Sequence, residues 1–197
     1  EHGIDHLVVI GGDGSLSGTN EFRGEWAQHV AELAAEGVIS PETAAAHPAL
    51  IIVGLVGSID NDLVGTDMTI GADTALHRIL DAIDQLTSTA ASHQRTFVVE
   101  VMGRHCGYLP LMAAVAGGAD YVFTPEDPAG PGWQDDLAEH LRLGREAGRR
   151  ESIVLVAEGA HDRDGNELST QLIADTIQDR TGEDARVTIL GHVQRGG

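Results

Sequence analysis

Short apolar runs alternate along the chain with longer segments in which apolar residues recur every three or four positions. The runs predict strands at residues 7–10, 51–56, 97–101, 121–123, 153–157 and 187–190. The segments between them predict helices at residues 24–37, from residue 40, at 72–90 and 107–116, and around residues 137–143 and 172–177. This alternation indicates an α/β protein with a mostly parallel sheet flanked by helices, and it predicts that strands 7–10 and 51–56 are buried.

Polar residues follow most of these predicted strands directly. Beyond the carboxyl ends of parallel strands lies the crevice in which open α/β sheets bind ligands. The segment of residues 57–62 is the most informative, because it places Asp60 and Asp62 two residues apart after an apolar strand. Two carboxylates there suit a general base and a group that orients a metal or a substrate hydroxyl. An ordinary turn remains the alternative, since Asp and Asn are common after strands.

The segment Gly11-Gly12-Asp13-Gly14-Ser15 follows the first predicted strand. Glycines let a phosphate chain approach backbone amides, and the N-terminus of a following helix would stabilise its charge. Asp13 is suited to hold Mg²⁺ on that phosphate. A tight turn uses the same residues, so this segment alone leaves both interpretations open.

Arginines stand on or beside several strand ends in an otherwise acidic chain. The set is Arg95, Arg104, Arg186 and Arg195, together with His192. Phosphate groups are the natural ligands of such a set. For any single arginine the alternative is a surface ion pair, which we expect for those on the polar helix, namely Arg142, Arg145, Arg149 and Arg150.

Composition excludes several classes of function. The net charge of −19 argues against generic binding of nucleic acid or anionic membranes, and no apolar run is long enough to cross a bilayer. All 12 basic residues are arginine, so a P-loop with its lysine is excluded. Cys106 is the single cysteine, which rules out an internal disulfide and favours a reducing cytoplasm. The acidic, lysine-free composition fits either a GC-rich genome or adaptation to salt. Neither terminus resembles a natural domain end, so we expect the chain to be a piece of a longer protein.

Six segments in order resemble the 6-phosphofructokinase family. They are Gly-Gly-Asp-Gly-Ser at 11–15, Gly-Ser-Ile-Asp-Asn-Asp at 57–62, Ser-His-Gln-Arg at 92–95, Met-Gly-Arg-His-Cys-Gly at 102–107, Ala-Glu-Gly at 157–159 and Gly-His-Val-Gln-Arg-Gly-Gly at 191–197. The long insert between Ser15 and Ile51 resembles the catalytic half of the eukaryotic-type, ATP-dependent enzymes.

The resemblance implies a Rossmann-like three-layer fold that is incomplete at both ends. Residues 1–91 are then part of an ATP-binding domain with a helical insert at about 16–50. Residues 92–197 are mainly the fructose 6-phosphate-binding domain, incomplete at its C-terminus. The implied reaction transfers the γ-phosphoryl group of ATP to the 1-hydroxyl of fructose 6-phosphate, the committed step of glycolysis.

Residue roles follow from the same resemblance. Asp60 matches the base that accepts the hydroxyl proton, with Ser58, Asp62 and Arg104 beside it in catalysis. Asp13 matches the Mg²⁺ carboxylate. The nucleotide phosphates are expected along Gly12, Asp13, Gly14 and Ser15, and the substrate along Ser58, Ile59, Asp60, Met102, Gly103, Arg104, Glu158, His192, Val193, Gln194 and Arg195. Arg95 and Arg186 match a pair that reaches a neighbouring subunit, which implies a homo-oligomer, either dimer or tetramer. The resemblance also implies a cytoplasmic, allosteric enzyme.

Three other functions stay open. Pyrophosphate-using relatives carry Asp where this chain has Gly14 and Lys where it has Gly57, and these bulkier groups would crowd an α-phosphate, so the small residues favour ATP. A regulatory half that binds effectors without catalysis is the non-enzyme alternative, against which the retained Asp13, Asp60, Asp62 and Arg104 argue. A lipid or NAD kinase would share only the Gly-Gly-Asp-Gly segment.

Overall fold

The computed structural model describes residues 3–196, and within them the chain divides into two compact units. Unit 1 comprises the residues up to 58 together with 65–70, and unit 2 comprises 59–64 and the residues from 71 onward. Unit 1 contains β1 (His6–Gly11), α1 (Asp13–Ala35), α2 (Pro41–Ala46) and β2 (Ile51–Val56). Among the described residues, no helix combines the length and apolar character needed to cross a membrane.

Strands β1 and β2 pair in parallel, from His6 opposite Ile51 to Gly11 opposite Val56. Helix α1 covers one face of the pair, and a Cβ added at Gly54 would lie 3.0 Å from Leu16 of that helix. The prediction that these strands are buried is wrong for the other face. There Val8 and Ile10 are each 67% exposed and Val53 is 54% exposed, because alternate residues of a strand point to opposite faces and only one face is covered by α1.

Helix α1 begins at Asp13, well before the predicted start at residue 24. Its first half has only Leu16 and Phe22 as large apolar residues, six positions apart, so it carries no apolar stripe from which a helix could be predicted. Gly14, Gly18 and Gly24 also lower its intrinsic helix propensity. Helix α2 begins as predicted, with Pro41 at its first position and the Ser40 side chain accepting a hydrogen bond from the Thr43 N–H.

Unit 2 has a four-stranded sheet and four helices. Its elements are α3 (Ala72–His93), β3 (Thr96–Val101), α4 (Tyr108–Gly117), β4 (Tyr121–Phe123), α5 (Trp133–Glu146), β5 (Ser152–Ala157), α6 (Thr170–Thr181) and β6 (Ala185–Ile189). The strand order is β4-β5-β3-β6 and every pair is parallel. A single 3-10 turn, Gly191–Arg195, follows β6.

Helices cover both faces of this sheet, so unit 2 has the predicted three layers. Val98, Val154 and Val156 pack on one side against Leu137 of α5 and Ile177 of α6. On the other side, the core joins sheet residues Val99, Val101, Ile153 and Leu155 to Ala75, Ile79 and Ile83 of α3 and to Leu109 and Ala113 of α4. Each fully buried Ile or Leu of this kind stabilises the fold by about 1.5–3 kcal/mol.

The predicted domain boundary and the compact units differ at α3. The boundary between residues 91 and 92 would place this helix with the first domain, whereas its buried residues Ile79 and Ile83 pack in the core of unit 2. Burial on the sheet of β3 and β5 explains why the helix belongs to that unit. The binding of ATP and fructose 6-phosphate by separate domains stays a prediction.

Candidate active site

The predicted nucleotide loop in unit 1 connects β1 directly to α1. Gly12 is the N-cap of the helix, and its carbonyl oxygen accepts the first helical hydrogen bond from the Leu16 N–H at 3.0 Å. Asp13 and Ser15 lie in the first turn and are exposed. The first N–H groups of a helix have no partner within it, and the helix dipole favours negative charge there. The loop therefore has the chemistry of an anion-binding site.

The glycines of this loop have two different roles. A Cβ at Gly11 would lie 2.6 Å from Cβ of Ser15, and one at Gly57 would lie 3.3 Å from N of Gly11. Gly11 therefore allows the first turn of α1 to lie close to the end of β1, and Gly57 allows the end of β2 to approach β1 closely. Gly12 and Gly14 have nothing within 4 Å of an added Cβ, so space is open above the loop. Ser58 is half-buried just beyond β2.

The segment around Asp60 and Asp62 belongs to unit 2. Ile59 packs against the core cluster on the α3 side of the sheet, which holds the start of the segment in place. Asn61 has φ 58, and its carbonyl oxygen accepts a hydrogen bond from Cys106 Sγ at 3.4 Å. Oδ2 of Asp62 lies 3.8 Å from NH1 of Arg104. The structure therefore brings the two carboxylates to the turn that follows β3.

Asp60 is 9% exposed, and its pKa is raised above its ordinary value. Burial is the main cause, and the negative charges of Asp62 and Glu158 add to it. The positive charges of Arg104 and Arg195 act in the opposite direction but do not cancel the shift. A carboxylate whose pKa is moved towards neutrality accepts a proton more readily, which is what a general base requires.

The turn after β3 has a backbone that few residues tolerate. Gly103 has φ 146 and Arg104 has φ 50, and the Cys106 N–H donates to the Gly103 carbonyl oxygen at 2.8 Å. The Arg104 N–H donates to Oε1 of Glu158 at 2.5 Å. The predicted substrate residues Gly103, Arg104 and Glu158 are thus joined in one structure, with Arg104 and Glu158 exposed.

The 3-10 turn after β6 presents its side chains differently from the sequence-based expectation. His192, Val193 and Arg195 are exposed, as contacts to a substrate require. Gln194 is only 1% exposed, and both ends of its side-chain amide bind backbone groups. Because its oxygen and its nitrogen are both hydrogen-bonded to the backbone, the Gln194 amide is not placed for the direct substrate contact that the sequence predicted.

Arg95 and Arg186 lie at the amino edge of the sheet, opposite the edge that carries Arg104. Arg95 directly precedes β3, and Arg186 is the second residue of β6. A six-residue strand spans about 20 Å, so these arginines are a strand length away from the carboxyl edge. The four arginines therefore do not lie together within a single chain, and the role of Arg95 and Arg186 towards a neighbouring subunit stays a prediction.

Asp184 links Arg95 and Arg186 at the amino edge. Its Oδ2 accepts a hydrogen bond from Nε of Arg95 at 2.6 Å and one from NH2 of Arg186 at 3.1 Å. The sequence analysis missed Asp184, although it stands two residues before Arg186 and alternate residues of an extended chain share a side. It also missed Glu126, whose Oε1 accepts from the Gly107 N–H at 2.6 Å at the start of α4.

A groove of about 520 Å³ also lies at the amino side of the sheet, between α5 and α6. Its lining includes Arg142, Arg145 and Arg180, each paired with a carboxylate. These pairs leave it without net positive charge for a phosphate. Within residues 3–196, no group of three or more His, Cys, Asp or Glu side chains is arranged to hold a metal ion.

Comparison with known proteins agrees with this arrangement. The family model described as phosphofructokinase matches residues 1–197. The chain is 58% identical over 197 residues to the human ATP-dependent 6-phosphofructokinase, liver type, covering 100% of this chain and 25% of that protein. It is 54% identical over 194 residues to the ATP-dependent 6-phosphofructokinase of Dictyostelium discoideum, covering 98% of this chain and 23% of that protein.

The solved structure of phosphofructokinase from Saccharomyces cerevisiae matches with a TM-score of 0.93 and 54% identity, covering 98% of this chain and 26% of that one. Fold and site together define an α/β protein whose parallel strands carry acidic and basic side chains beyond their carboxyl ends. The chain belongs to the phosphofructokinase family. It spans about a quarter of the length of the relatives it matches.

Proposed function

We propose that this chain is part of an ATP-dependent 6-phosphofructokinase, which transfers the γ-phosphoryl group of ATP to the 1-hydroxyl of fructose 6-phosphate. The observation that carries the proposal is the buried carboxylate of Asp60, whose pKa is raised beside Asp62, Glu158 and Arg104. The products are fructose 1,6-bisphosphate and ADP, and the reaction is the committed step of glycolysis. A cytoplasmic location and allosteric control belong to the same proposal.

Asp60 acts as the general base in this proposal. It accepts the proton of the 1-hydroxyl as that oxygen attacks the γ-phosphorus, while the bond to the bridging oxygen of ADP breaks. Ser58 and Asp62 orient the reacting groups. Arg104 supplies positive charge near Asp62, 3.8 Å from its Oδ2. Phosphoryl transfer needs little covalent chemistry from the protein, so positioning and neutralisation of charge account for most of the catalysis.

The loop of unit 1 would hold the nucleotide and its Mg²⁺. The fit is supported by the exposed carboxylate of Asp13 at the start of a 23-residue helix and by the open space above Gly12 and Gly14. Mg²⁺ is commonly bound by one or two carboxylates together with substrate phosphates, so Asp13 alone suffices as a protein ligand. The bound ion would neutralise phosphate charge. Ser15 would donate hydrogen bonds to the phosphates.

The sugar phosphate would bind along the carboxyl edge of the unit 2 sheet. Arg104 and Glu158 are exposed there beside Met102 and Gly103, and Glu158 is partly committed to the Arg104 N–H. The 6-phosphate would be bound by exposed His192 and Arg195, with Ile59 and Val193 at the margins. Arginine and histidine are suited to this charge.

Arg95 and Arg186 would serve a second subunit. They lie at the amino edge, and Asp184 holds their guanidinium groups together. Such a pair fits a phosphate that is bound by a neighbouring copy, so we propose a homo-oligomer, either a dimer or a tetramer. Size-exclusion chromatography with light scattering tests this point, and a strictly monomeric active enzyme would contradict it.

Two observations favour ATP over pyrophosphate as the donor. No atom lies within 4 Å of an added Cβ at Gly14, which leaves room for a nucleotide. A side chain at Gly57 would start 3.3 Å from N of Gly11 and from a methyl group of Ile10. A lysine there would therefore be crowded at its Cβ by the end of β1, and we infer that its side chain would compete with an α-phosphate for the space at the loop.

The proposal is tested by measuring fructose 1,6-bisphosphate formation by the full-length protein with ATP and with pyrophosphate side by side. We expect turnover with ATP and Mg²⁺ and none with pyrophosphate. Turnover with pyrophosphate alone would overturn the choice of donor. No turnover with either donor in a folded protein would favour a regulatory half that binds effectors without catalysis.

A further inference from the structure

Gln194 differs from its neighbours in the 3-10 turn Gly191–Arg195. His192, Val193 and Arg195 are exposed, whereas the side chain of Gln194 is 1% exposed and among the largest fully buried ones in the described chain. A buried amide must find partners for its oxygen and its NH₂ group, because an unpaired polar group in the interior is costly. The partners of Gln194 therefore show what the residue does.

Both partners are backbone groups at the carboxyl edge of the sheet. Oε1 of Gln194 accepts a hydrogen bond from the Met102 N–H at 3.1 Å, and Nε2 donates to the Gly191 carbonyl oxygen at 2.9 Å. The backbone bonds between β3 and the β6 segment end with the Leu190 N–H donating to the Glu100 carbonyl oxygen at 3.3 Å. Beyond that point, the Gln194 side chain links the residues that follow β3 to those that follow β6.

Met102 is the first residue of the turn that carries Arg104. On the β5 side the same turn is held by Glu158, which accepts from the Arg104 N–H at 2.5 Å. Gln194 holds it on the β6 side. The turn is therefore fixed at two backbone N–H groups, two residues apart, by side chains from two different strand ends.

We propose that Gln194 is a positioning residue for sugar-phosphate binding. It fixes the Met102–Arg104 turn relative to His192 and Arg195, so that the groups proposed to bind fructose 6-phosphate keep one mutual geometry. It does not touch the substrate itself. This inference rests on the proposed function, because it names what the fixed geometry is for.

The test compares two substitutions in the full-length protein. Gln194→Met keeps the length and burial of the side chain but removes the acceptor for the Met102 N–H. Gln194→Glu keeps that acceptor, and in the neutral form that burial favours its O–H can still donate to the Gly191 carbonyl oxygen. We expect Gln194→Met to raise KM for fructose 6-phosphate by about tenfold or more, with a change in KM for ATP below about twofold. We expect Gln194→Glu to give a smaller rise, as a partial rescue.

Ile177→Val is the control for a general loss of stability. Ile177 is fully buried in α6 on the other face of the sheet, so its shortening lowers thermal stability without touching the turn. We expect both KM values of this variant to stay at the wild-type level. Equal rises in both KM values in Gln194→Met, or an unchanged KM for fructose 6-phosphate, would overturn the proposal.

Hydrogen–deuterium exchange of peptides that cover residues 102–106 gives a readout independent of activity. We expect faster exchange at the Met102 amide in Gln194→Met than in the wild type and in Ile177→Val. Unchanged exchange would show that Gln194 does not fix the turn. If the wild-type protein neither turns over nor binds fructose 6-phosphate, the proposed function fails and the positioning role fails with it, whereas failure in the variants alone overturns only this inference.

Discussion

The two edges of the four-stranded sheet use the same residue types in opposite ways. At the carboxyl edge, Asp60 is buried beside other carboxylates, and its pKa is raised. At the amino edge, burial alone would raise the pKa of Glu183, but hydrogen bonds from Arg145 and Thr96 outweigh it and the pKa is lowered. Asp60 at the carboxyl edge is therefore protonated more readily than an ordinary aspartate, and Glu183 at the amino edge is protonated less readily than an ordinary glutamate. Perturbed acidity of the first kind is typical of functional sites, and the second kind is typical of structural ion pairs.

Among the substitutions at the two edges, we expect the largest effect at Gly103 of the carboxyl edge. Gly103→Ala would force a side chain into a backbone of φ 146, where its Cβ would collide with the carbonyl oxygen of Cys106. We expect destabilisation by about 3 kcal/mol together with loss of sugar-phosphate binding. The shift in the urea midpoint of unfolding measures the first effect.

Gly165→Ala is the matched control for that change. Gly165 has φ 84 in a hairpin turn with nothing within 4 Å of an added Cβ, so it carries the backbone strain without the collision. We expect about 1 kcal/mol of destabilisation and unchanged substrate binding. Equal effects of the two substitutions would show that the turn after β3 has no special packing.

Glu183→Gln tests the structural role of the amino edge. Glu183 accepts hydrogen bonds from Arg145 at 2.9 Å and from Thr96 at 2.7 Å, and its side chain is 17% exposed. The amide leaves Arg145 without its charge partner, so we expect destabilisation by about 1–3 kcal/mol. We expect kcat per folded enzyme to stay unchanged, and a selective fall in kcat would contradict the division between the edges.

The contributions of Asp60 and Glu183 to folding stability change with pH in opposite directions. Because the pKa of Glu183 is lowered on folding, its stabilisation is present above the ordinary carboxyl range and is lost as pH falls through its folded pKa. Because the pKa of Asp60 is raised, its ionised form costs stability at neutral pH, and that cost disappears as pH falls below its folded pKa. We expect acid unfolding to become less steep in Glu183→Gln. We expect the acid limb of kcat/KM, which reports the free enzyme, to lie above the ordinary pKa of an aspartate.

Asp184→Asn should have the smallest effect on stability. Its carboxylate is 40% exposed and pairs with Arg95 and Arg186, whose side chains are 33% and 55% exposed. Exposed ion pairs contribute about 0–1 kcal/mol, so we expect a shift in melting temperature close to the error of calorimetry. A loss as large as that of Glu183→Gln would show that the amino edge is one cooperative network.

Much of the fold could be predicted because unit 2 buries both faces of its sheet. Continuous apolar runs marked β3 and β5, and the stripe of Ile79 and Ile83 marked α3, since these residues pack in one core. Unit 1 was harder to predict. Apolar runs predicted its two strands, but their burial was overestimated because one face is exposed, and the first half of α1, a helix with no buried residue, was not predicted.

The positions of candidate site residues could be predicted where they depend only on whether a residue precedes or follows a strand. Residues that follow strands, such as Asp60 and Arg104, lie at a carboxyl edge as expected. Arg95 precedes its strand and Arg186 lies near the start of another, which already places them at the amino edge of a parallel sheet. The burial of Gln194 had no such signal, because a five-residue 3-10 turn is too short for a pattern of burial to be visible.

The central claim is that the buried carboxylate at the carboxyl edge is the general base. The most direct test is kcat for fructose 1,6-bisphosphate formation by the full-length Asp60→Asn variant at saturating ATP and fructose 6-phosphate. Asp164→Asn, in the exposed hairpin, is the matched control. We predict that Asp60→Asn lowers kcat by about 10³-fold or more with substrate binding largely kept, and that the control turns over like the wild type. A kcat of Asp60→Asn within about tenfold of the wild type would contradict the assignment of Asp60 as the base.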